Sequence, residues 1–284
     1  MEKTMQSSAA RKQSNIFHQL HLGPQPLTLL NAWDAASARI LERAGAPAIG
    51  TTSAGMAWAA GYADGERMPA TELIAACARI CRVAGVPVSV DIERGFGRGA
   101  EEVCDVVRAL VDMGVAGVNI EDGVLPGTGQ LAPPEILCER ISALRKMLAQ
   151  MDAQLFINAR SDTYFVANDD PVARYEDTVR RAQMYAATGA DGIFVPGMAN
   201  IDDITRFTQT VSLPVNIYAG YAGAPDVDVL GQAGVRRISV GCGPLQSALG
   251  LLQRIAGEAL SQGSFHAMGS GMLSGGEINA LFPQ

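Results

Sequence analysis

Short apolar runs and longer helix-like stretches alternate along the chain. The apolar runs predict strands at 26–31, 48–52, 86–92, 115–120, 154–159, 191–195, 214–218 and 237–240. The stretches that follow predict helices at 34–44, 69–84, 100–113, 133–150, 171–188, 201–210, 225–233 and 244–260. The runs lack a strict polar–apolar alternation, which is typical of parallel strands that are buried on both faces.

Eight strand–helix units in a row predict a (β/α)₈ TIM barrel. Glycines stand where several helices must end before the next strand, at Gly45, Gly85, Gly114, Gly189 and Gly234. Glycine at that position supplies the left-handed residue that commonly closes a helix. An open doubly wound sheet accounts less well for eight units. We therefore expect a single domain over residues 1–284, with a barrel core at about 26–262.

Two segments lie outside the repeat. Residues 8–20 predict an extra N-terminal helix, and residues 264–284 form a C-terminal arm rich in glycine and serine. The arm also contains apolar residues that favour docking on the barrel or on a neighbouring subunit, namely Met268, Met272, Ile278, Leu281 and Phe282.

The composition of the chain indicates which kinds of partner and which cellular compartment to expect. The net charge of −7 argues against nucleic acid or an anionic membrane as the main partner. The chain has no apolar run of 18 residues, and residues 1–15 lack the apolar stretch of a signal peptide. We therefore expect a cytoplasmic protein, in which the five cysteines are free thiols.

Acidic side chains end three neighbouring predicted strands. Asp91 and Glu93 follow strand three, Glu121 and Asp122 follow strand four, and Asp162 follows strand five. In such barrels the C-terminal strand ends form one mouth, where grouped carboxylates are costly without a cation. Oxygen ligands without histidine or cysteine favour Mg²⁺, with Mn²⁺ as a substitute. The alternative is that Glu121 forms an ion pair with Arg160 across the mouth.

The same mouth offers groups that could hold an anionic substrate. Arg160 ends strand five, and its planar guanidinium matches the two oxygens of a carboxylate. A small-residue turn after strand two could hold another anionic oxygen on its backbone N–H groups. The candidate substrate-binding residues are Thr51, Ser53, Ala54, Gly55, Asp91, Arg160 and Asn216. The three histidines lie in the terminal segments, so a histidine base on the barrel is not expected.

These segments together resemble the isocitrate lyase/phosphoenolpyruvate mutase superfamily. The resemblance lies in LLNAWDAASARILERAGAPAIGTTSAG (29–55), VDIERGFG (90–97), GVNIEDG (117–123), NARSDTY (158–164), GADGIFVPG (189–197) and RRISVGCGPL (236–245). It implies a Mg²⁺-dependent barrel, commonly a homotetramer, in which the last helix is exchanged between subunits.

The resemblance also implies roles for individual residues. By position, Asp91 resembles the direct metal ligand, and Glu93 and Glu121 resemble the residues that hold metal-bound waters. Arg160 resembles the clamp for the substrate carboxylate. The turn Ser53, Ala54 and Gly55 resembles the segment that binds the 2-oxo acid, and Asp64 resembles an aspartate on a loop near the site.

The chain departs from the lyases of this family at several positions. The loop after strand four reads GVLPGTGQLAPPE (123–135) and lacks the lysine, cysteine and histidine of the lyase gating loop. Asn119 stands where many lyases have histidine, and Glu93 replaces the commoner aspartate. The end of strand six reads Val195-Pro196-Gly197, where lyases tend to carry glutamate. A typical isocitrate or methylisocitrate lyase is therefore not expected.

Three functions remain open at this point. The first is a Mg²⁺-dependent lyase or decarboxylase that cleaves a carbon–carbon bond of a small 2-oxo or 2-hydroxy dicarboxylic acid, with Arg160, Asp64 and Glu121 as catalytic candidates. The second is phosphoenolpyruvate or phosphonopyruvate mutase or hydrolase chemistry, in which Thr128 could act. The third is a catalytically weak protein that binds 2-oxo acids.

Overall fold

The computed structural model describes residues 7–125, 127–166, 170–269 and 271–282. Its parallel strands close into a barrel in sequence order, and β8 pairs with β1 through Leu27 and Arg237. The strands are β1 (Leu27–Ala32), β2 (Ile49–Thr51), β3 (Val88–Asp91), β4 (Gly117–Glu121), β5 (Phe156–Arg160), β6 (Gly192–Phe194), β7 (Val215–Tyr218) and β8 (Arg237–Ser239). The predicted TIM barrel is confirmed.

The helices surround the barrel and connect its strands. They are α1 (Ser8–Leu20), α2 (Ala35–Arg43), α3 (Ser53–Ala59), α4 (Ala70–Val83), α5 (Ala100–Asp112), α6 (Pro134–Met151), α7 (Pro171–Thr188), α8 (Ile201–Thr210), α9 (Val227–Gln232), α10 (Gly243–Gln262) and α11 (Gly275–Asn279). Side-chain caps explain several starts. Asp34 and Ser37 form a capping box before α2, and Asp170 accepts from two backbone N–H groups of α7.

The barrel has an apolar outer layer and a polar interior. Strand residues that face the helices, such as Val90, Val118 and Ile157, are fully buried in the main core. The side chains that face the barrel axis include Asn31, Ser89, Asp91, Asn119, Asn158, Asn216, Arg237 and Ser239. Hydrogen bonds between strands satisfy many of these buried groups, as buried polar atoms require.

The predicted N-terminal helix is confirmed, and α1 closes the lower end of the barrel. Phe17 is fully buried against Phe156, and the ring of His21 stacks on Phe156 at 3.9 Å between centroids. A Cβ atom at Gly117 would lie 2.6 Å from the Phe17 ring, so this close approach requires glycine. Burial and nearby Arg237 lower the pKa of His21 to about 3, which keeps the ring neutral.

The helix α10 and the arm make little contact with the barrel. Leu245 is the one buried residue of α10, whereas Leu252 and Leu260 are 59% and 89% exposed. In the arm Leu281 is buried, and its carbonyl accepts from Arg39 Nε at 2.6 Å. The expected docking therefore occurs at Leu281, on α2 of the same chain. Within this single chain Met268 and Met272 stay exposed.

None of the helices that the structure describes is long and apolar enough to cross a membrane.

Candidate active site

A cavity of about 220 Å³ lies at the C-terminal ends of the strands. Its lining contains Asn31, Thr51, Thr52, Ser53, Ala54, Asp64, Asp91, Asn119, Arg160, Phe165, Phe194, Pro196, Tyr218, Ser239, Gly241 and Cys242. A larger open groove of about 990 Å³ lies between α1 and residues 23–28, but no carboxylate lines it. The small cavity is where catalytic residues of such barrels are found, so we take it as the candidate site.

Asp91 is buried at the end of β3, where neighbouring elements fix one side of its carboxylate. Its Oδ2 accepts from Ser53 Oγ at 2.8 Å, and its backbone N–H donates to Thr51 Oγ1 at 3.0 Å. Its Oδ1 is buried and has no hydrogen-bond partner in the described part of the chain. A buried carboxylate oxygen without a donor is an acceptor that is available to a ligand or cation.

Two further carboxyl groups lie beside Asp91. Burial, with Asp91 and Asp64 nearby, raises the pKa of Glu93 to about 8. Burial also raises the pKa of Asp64. Glu93 adopts φ 47°, a left-handed conformation that is costly for a residue with a side chain. Its carbonyl accepts from Glu121 N at 2.8 Å, which ties β3 to the end of β4.

Glu121, Arg160 and Asp162 form a buried charge network. Arg160 Nη1 lies 2.8 Å from Glu121 Oε2, while Nε and Nη2 donate to the two oxygens of Asp162 at 2.6 and 3.1 Å. Burial raises the pKa of Glu121, and Arg160 partly opposes this. Burial by itself would lower the pKa of Arg160, but Glu121 and Asp162 hold it above its ordinary value. The ion pair considered as the alternative to a metal is thus present.

Asp122 does not face the mouth with Glu121. Its Oδ2 accepts from Arg181 Nη1, Tyr185 Oη and Ser161 Oγ at 2.8 to 3.0 Å. These contacts lie between the strand ends and α7. Successive residues along the chain point to opposite sides, so Asp122 anchors a helix and contributes no charge to the cavity.

The segment 53–55 is not a turn, as the sequence suggested, but the start of α3. Thr52 caps this helix, and its Oγ1 accepts from Gly55 N at 3.4 Å. Gly55 is absent from the cavity lining, and a Cβ atom there would lie 2.6 Å from Thr52 Cγ2. Asn216 is also absent from the lining, is fully buried, and accepts from Ser239 Oγ at 3.1 Å. Glu93 and Glu121 lie behind the lining beside Asp91 and Arg160.

Several lining residues were not among the candidate site residues. Asn31 joins three strands, since its Nδ2 donates to Thr51 O at 2.7 Å and its Oδ1 accepts from the N–H groups of residues 240 and 241. Tyr218 Oη donates to Gly220 O at 3.0 Å. Polar residues at the ends of predicted strands were the signal that could have indicated these positions.

Cys242 contributes a thiol to the same lining, and burial raises its pKa, so the thiol is protonated at neutral pH. The rings of Phe165 and Phe194 lie 5.5 and 5.8 Å from the Arg160 guanidinium carbon and shield it from water.

The loop after β4 forms its own small turn. Val124 and Leu131 form an antiparallel bridge, and Thr128 Oγ1 donates to Leu125 O at 2.9 Å. Thr128 is exposed and absent from the cavity lining, so its hydroxyl serves the loop in this conformation.

The residues present fit a hard divalent cation. Within the described ranges no group of three or more histidine, cysteine, aspartate or glutamate side chains converges as a ready ligand set. Mg²⁺ commonly takes only one or two carboxylates and keeps several waters, so it does not need such a set. The unpartnered Asp91 Oδ1 is an acceptor open to a cation, and the pKa of Glu93 is raised by burial and by the neighbouring carboxylates, with no cation nearby among the described residues to oppose this.

Known proteins match most of the length of this chain. The family model for phosphoenolpyruvate phosphomutase matches residues 17–260. A Mycobacterium tuberculosis protein described as uncharacterized is 36% identical over 233 residues, which cover 82% of this chain and 84% of that protein. An oxaloacetate decarboxylase of Bradyrhizobium sp. (strain BTAi1 / ATCC BAA-1182) is 32% identical, over 74% of this chain and 71% of that protein.

A solved structure shares the full architecture. A Burkholderia cenocepacia J2315 protein, provisionally described as a lyase/mutase, superposes with a TM-score of 0.89 at 31% identity. The superposition covers 96% of both chains.

Proposed function

Because the chain belongs to the isocitrate lyase/phosphoenolpyruvate mutase superfamily, we propose that it is a Mg²⁺-dependent lyase or decarboxylase. Its substrate would be a small 2-oxo or 2-hydroxy dicarboxylic acid. The oxaloacetate decarboxylase among its relatives acts on an acid of this class, as its name states.

The observation that carries the proposal is the size and charge of the cavity. About 220 Å³ is below the usual 300–1,000 Å³ of pockets for drug-sized ligands, so the space suits an acid of a few carbons. The lining holds the carboxylates Asp64 and Asp91 together with the guanidinium of Arg160. A cation beside the carboxylates and an anionic ligand that contacts both the cation and Arg160 would balance these charges.

Asp91 would hold the metal through Oδ1, and Glu93 and Glu121 would hold its water ligands; Mn²⁺ could replace Mg²⁺. The bound cation would supply Lewis-acid polarisation of the 2-oxo group. Deprotonated carboxylates are needed for this, and the raised pKa of Glu93 therefore links metal binding to release of a proton.

The chain's own groups would orient the acid. Arg160 has donated three of its N–H groups to Asp162 and Glu121, which leaves others for a substrate carboxylate. Thr51 and Ser53 already contact Asp91, and with Ala54 they form the wall beside it. Phe165 and Phe194 exclude water above the guanidinium, which strengthens its attraction for an anion.

A proton must reach the carbon that loses its bonding partner. The loop at 123–135 has no thiol, amine or imidazole for this step. Cys242 lines the cavity as a neutral thiol, and Tyr218 lies beside it, so these residues are the candidate donors. Loss of a positioned general acid costs about 10²–10⁴ in rate. Isocitrate lyases use a cysteine on this loop as the proton donor, and the loop here has none. We therefore expect negligible cleavage of isocitrate and 2-methylisocitrate.

A substrate screen tests the proposal. Small 2-oxo and 2-hydroxy dicarboxylic acids, phosphoenolpyruvate and phosphonopyruvate are each incubated with enzyme and Mg²⁺, and pyruvate, glyoxylate, CO₂ and phosphate are measured. We expect turnover of a dicarboxylic acid that stops on chelation of the metal. Turnover of isocitrate near the enzyme median of roughly 10 s⁻¹ would contradict the expected lack of isocitrate cleavage, and Tyr218 and Cys242 would be the first residues to mutate.

Phosphoryl or phosphonyl chemistry is the second candidate, and the phosphomutase family model favours it. Phosphate release from phosphonopyruvate, abolished by Thr128→Val, would replace the first proposal. The third candidate, a catalytically weak binding protein, predicts tight binding of a 2-oxo acid with no turnover in any assay.

We also propose that the protein is a cytoplasmic homotetramer in which α10 and the arm pack on a neighbouring subunit. The exposed leucines of α10 support this, because burial of such side chains is worth about 1.5–3 kcal/mol each. Light scattering of the intact chain should give a tetramer. Cutting the chain after Gly263 should weaken assembly, and a monomeric intact chain at micromolar concentration would contradict the proposal.

A further inference from the structure

Arg237 is a fully buried cation inside the barrel, beneath the candidate site. It begins β8 and is 1% exposed. Its Nη2 donates across the barrel to Asn119 Oδ1 on β4 at 2.9 Å. Its Nε and Nη1 have no hydrogen-bond partner among the described residues, and none of these residues forms an ion pair with it.

Such an arginine destabilises the fold. A buried charge without a paired carboxylate and with unsatisfied donors costs free energy that an apolar side chain of similar size would not. Burial lowers the pKa of Arg237 to about 9, and Asp91 opposes this lowering. Arg237 does not line the cavity, so any effect on a ligand must pass through another residue.

That residue is Asn119, which pairs with Asp91 in the β3–β4 register and lines the cavity. Its Oδ1 accepts from both Arg237 Nη2 and Asn158 Nδ2, each at 2.9 Å. Arginine has no acceptor, so the Asn119 atom that faces it must be the oxygen. The amide nitrogen is thereby turned away from both donors, and it makes no hydrogen bond within the described part of the chain.

We propose that Asn119 is a substrate-binding residue whose Nδ2 donates to an oxygen of the bound 2-oxo acid, and that Arg237 is the positioning residue that fixes this orientation. Without Arg237 the amide could rotate and present its oxygen, which would repel an anionic ligand. The proposal rests on the proposed function only in requiring that the cavity binds a small 2-oxo acid or an analogue such as oxalate.

A double-mutant cycle separates this role from two others. Oxalate binding in the presence of Mg²⁺ is measured by calorimetry for wild type, Asn119→Ala, Arg237→Met and the double variant. We expect Asn119→Ala to weaken binding about tenfold or more, because a hydrogen bond to a charged group is lost. Arg237→Met should weaken it about tenfold in wild type but less than twofold in the Asn119→Ala background.

If Arg237 acts through its charge alone, Arg237→Met weakens binding equally in both backgrounds, and the positioning role is overturned. If Arg237 only stabilises the fold, its variants leave oxalate binding unchanged, and this result also overturns the positioning role. Arg237→Gln is measured in parallel so that the cycle closes if Arg237→Met is unstable. Unchanged oxalate binding by Asn119→Ala would overturn the substrate-binding role.

Binding of Mg²⁺ alone distinguishes failure of this inference from failure of the proposed function. We expect the dissociation constants of Asn119→Ala and Arg237→Met for Mg²⁺ to lie within about threefold of the wild-type value, because neither substitution removes a candidate ligand. A wild type that binds neither Mg²⁺ nor oxalate would overturn the proposed function itself. A wild type that binds both, with Asn119→Ala indistinguishable from it, would overturn only the inference drawn from Arg237.

Discussion

The mouth and the lower interior of the barrel each bury an arginine, but the two arginines have different partners and their pKa values shift in opposite directions. At the mouth, Arg160 contacts the carboxylates of Glu121 and Asp162, which raise its pKa. Deeper in the barrel, Arg237 contacts one amide oxygen, and burial lowers its pKa to about 9. The mouth holds more carboxyl groups than its arginine can pair with, while the arginine of the lower interior forms no ion pair with a carboxylate of the described residues.

The difference indicates where ligands belong. Excess carboxylate at the mouth attracts a cation, and that cation in turn attracts an anionic acid. The lower interior is sealed by α1, Phe17 and His21, so Arg237 cannot gain a partner from solvent. We therefore expect Arg237 to affect the cavity through its hydrogen bond to Asn119, which lines the cavity.

The largest effect that would sharpen this comparison concerns Arg160. Arg160→Lys keeps the charge but loses the planar fork, and loss of such contacts typically costs about 2–5 kcal/mol. We expect oxalate binding to weaken roughly 30-fold or more by calorimetry. The control Arg180→Lys alters an exposed ion pair on α7 and should leave binding unchanged. Wild-type affinity in Arg160→Lys would mean that the carboxylate is held elsewhere.

In the lower interior, His21 is expected to make the stability of the fold depend on pH. Its folded pKa of about 3 lies below the ordinary 6.5, so the unfolded chain binds a proton first as pH falls. The contribution of His21 to the free energy of unfolding is therefore fully present above pH 6.5 and is lost as the pH falls toward 3. The loss should be about 2 kcal/mol between pH 7.5 and pH 5.

Denaturant unfolding at both pH values measures the loss. His21→Phe keeps the stacked ring on Phe156 but cannot bind a proton, so its stability should fall less over the same range. His266→Gln, in the exposed arm, should retain the wild-type dependence. Identical pH dependence of wild type and His21→Phe would show that His21 is not neutral and buried.

The smallest predicted effect is a gain of stability. Arg237→Met removes a buried cation with two unsatisfied nitrogens, and such replacements are often neutral or stabilising. We expect unfolding free energy to rise by about 1 kcal/mol, which corresponds to a melting temperature higher by about 2–4 °C in a chain of this size. A fall of several degrees would mean that Arg237 is primarily structural.

Hydrophobic pattern predicted the barrel because eight buried strands require eight apolar runs. The bounds of α1, α7 and α8 agree with those expected from the sequence. Most strands begin one or two residues later than expected, and several apolar residues that precede strand pairing, such as Ala48, Val115 and Leu155, are already buried. The helix α3 was missed because a segment of small residues after a strand resembles a turn, and its Thr52 cap was not recognised.

The sequence indicated which residue types lie at the mouth and offered the Glu121–Arg160 ion pair, but it did not indicate the other pairings. Position at strand ends identified Asp91 and Arg160, yet sequence could not show that Asp162 occupies the arginine fork. The anchoring role of Asp122 and the cross-barrel bond of Arg237 to Asn119 depend on contacts between strands far apart in the chain. Such pairings follow from barrel closure and register, which the local pattern does not specify.

Calorimetric titration of Mg²⁺ into wild type and Asp91→Asn tests the central claim most directly. The substitution keeps the shape of the side chain, and Asp226→Asn, at the exposed start of α9, serves as the matched control. We predict Mg²⁺ binding by wild type and Asp226→Asn, no measurable binding by Asp91→Asn, and oxalate binding only where Mg²⁺ binds. Equal Mg²⁺ binding by wild type and Asp91→Asn would contradict the claim that the mouth of this barrel holds its metal through Asp91.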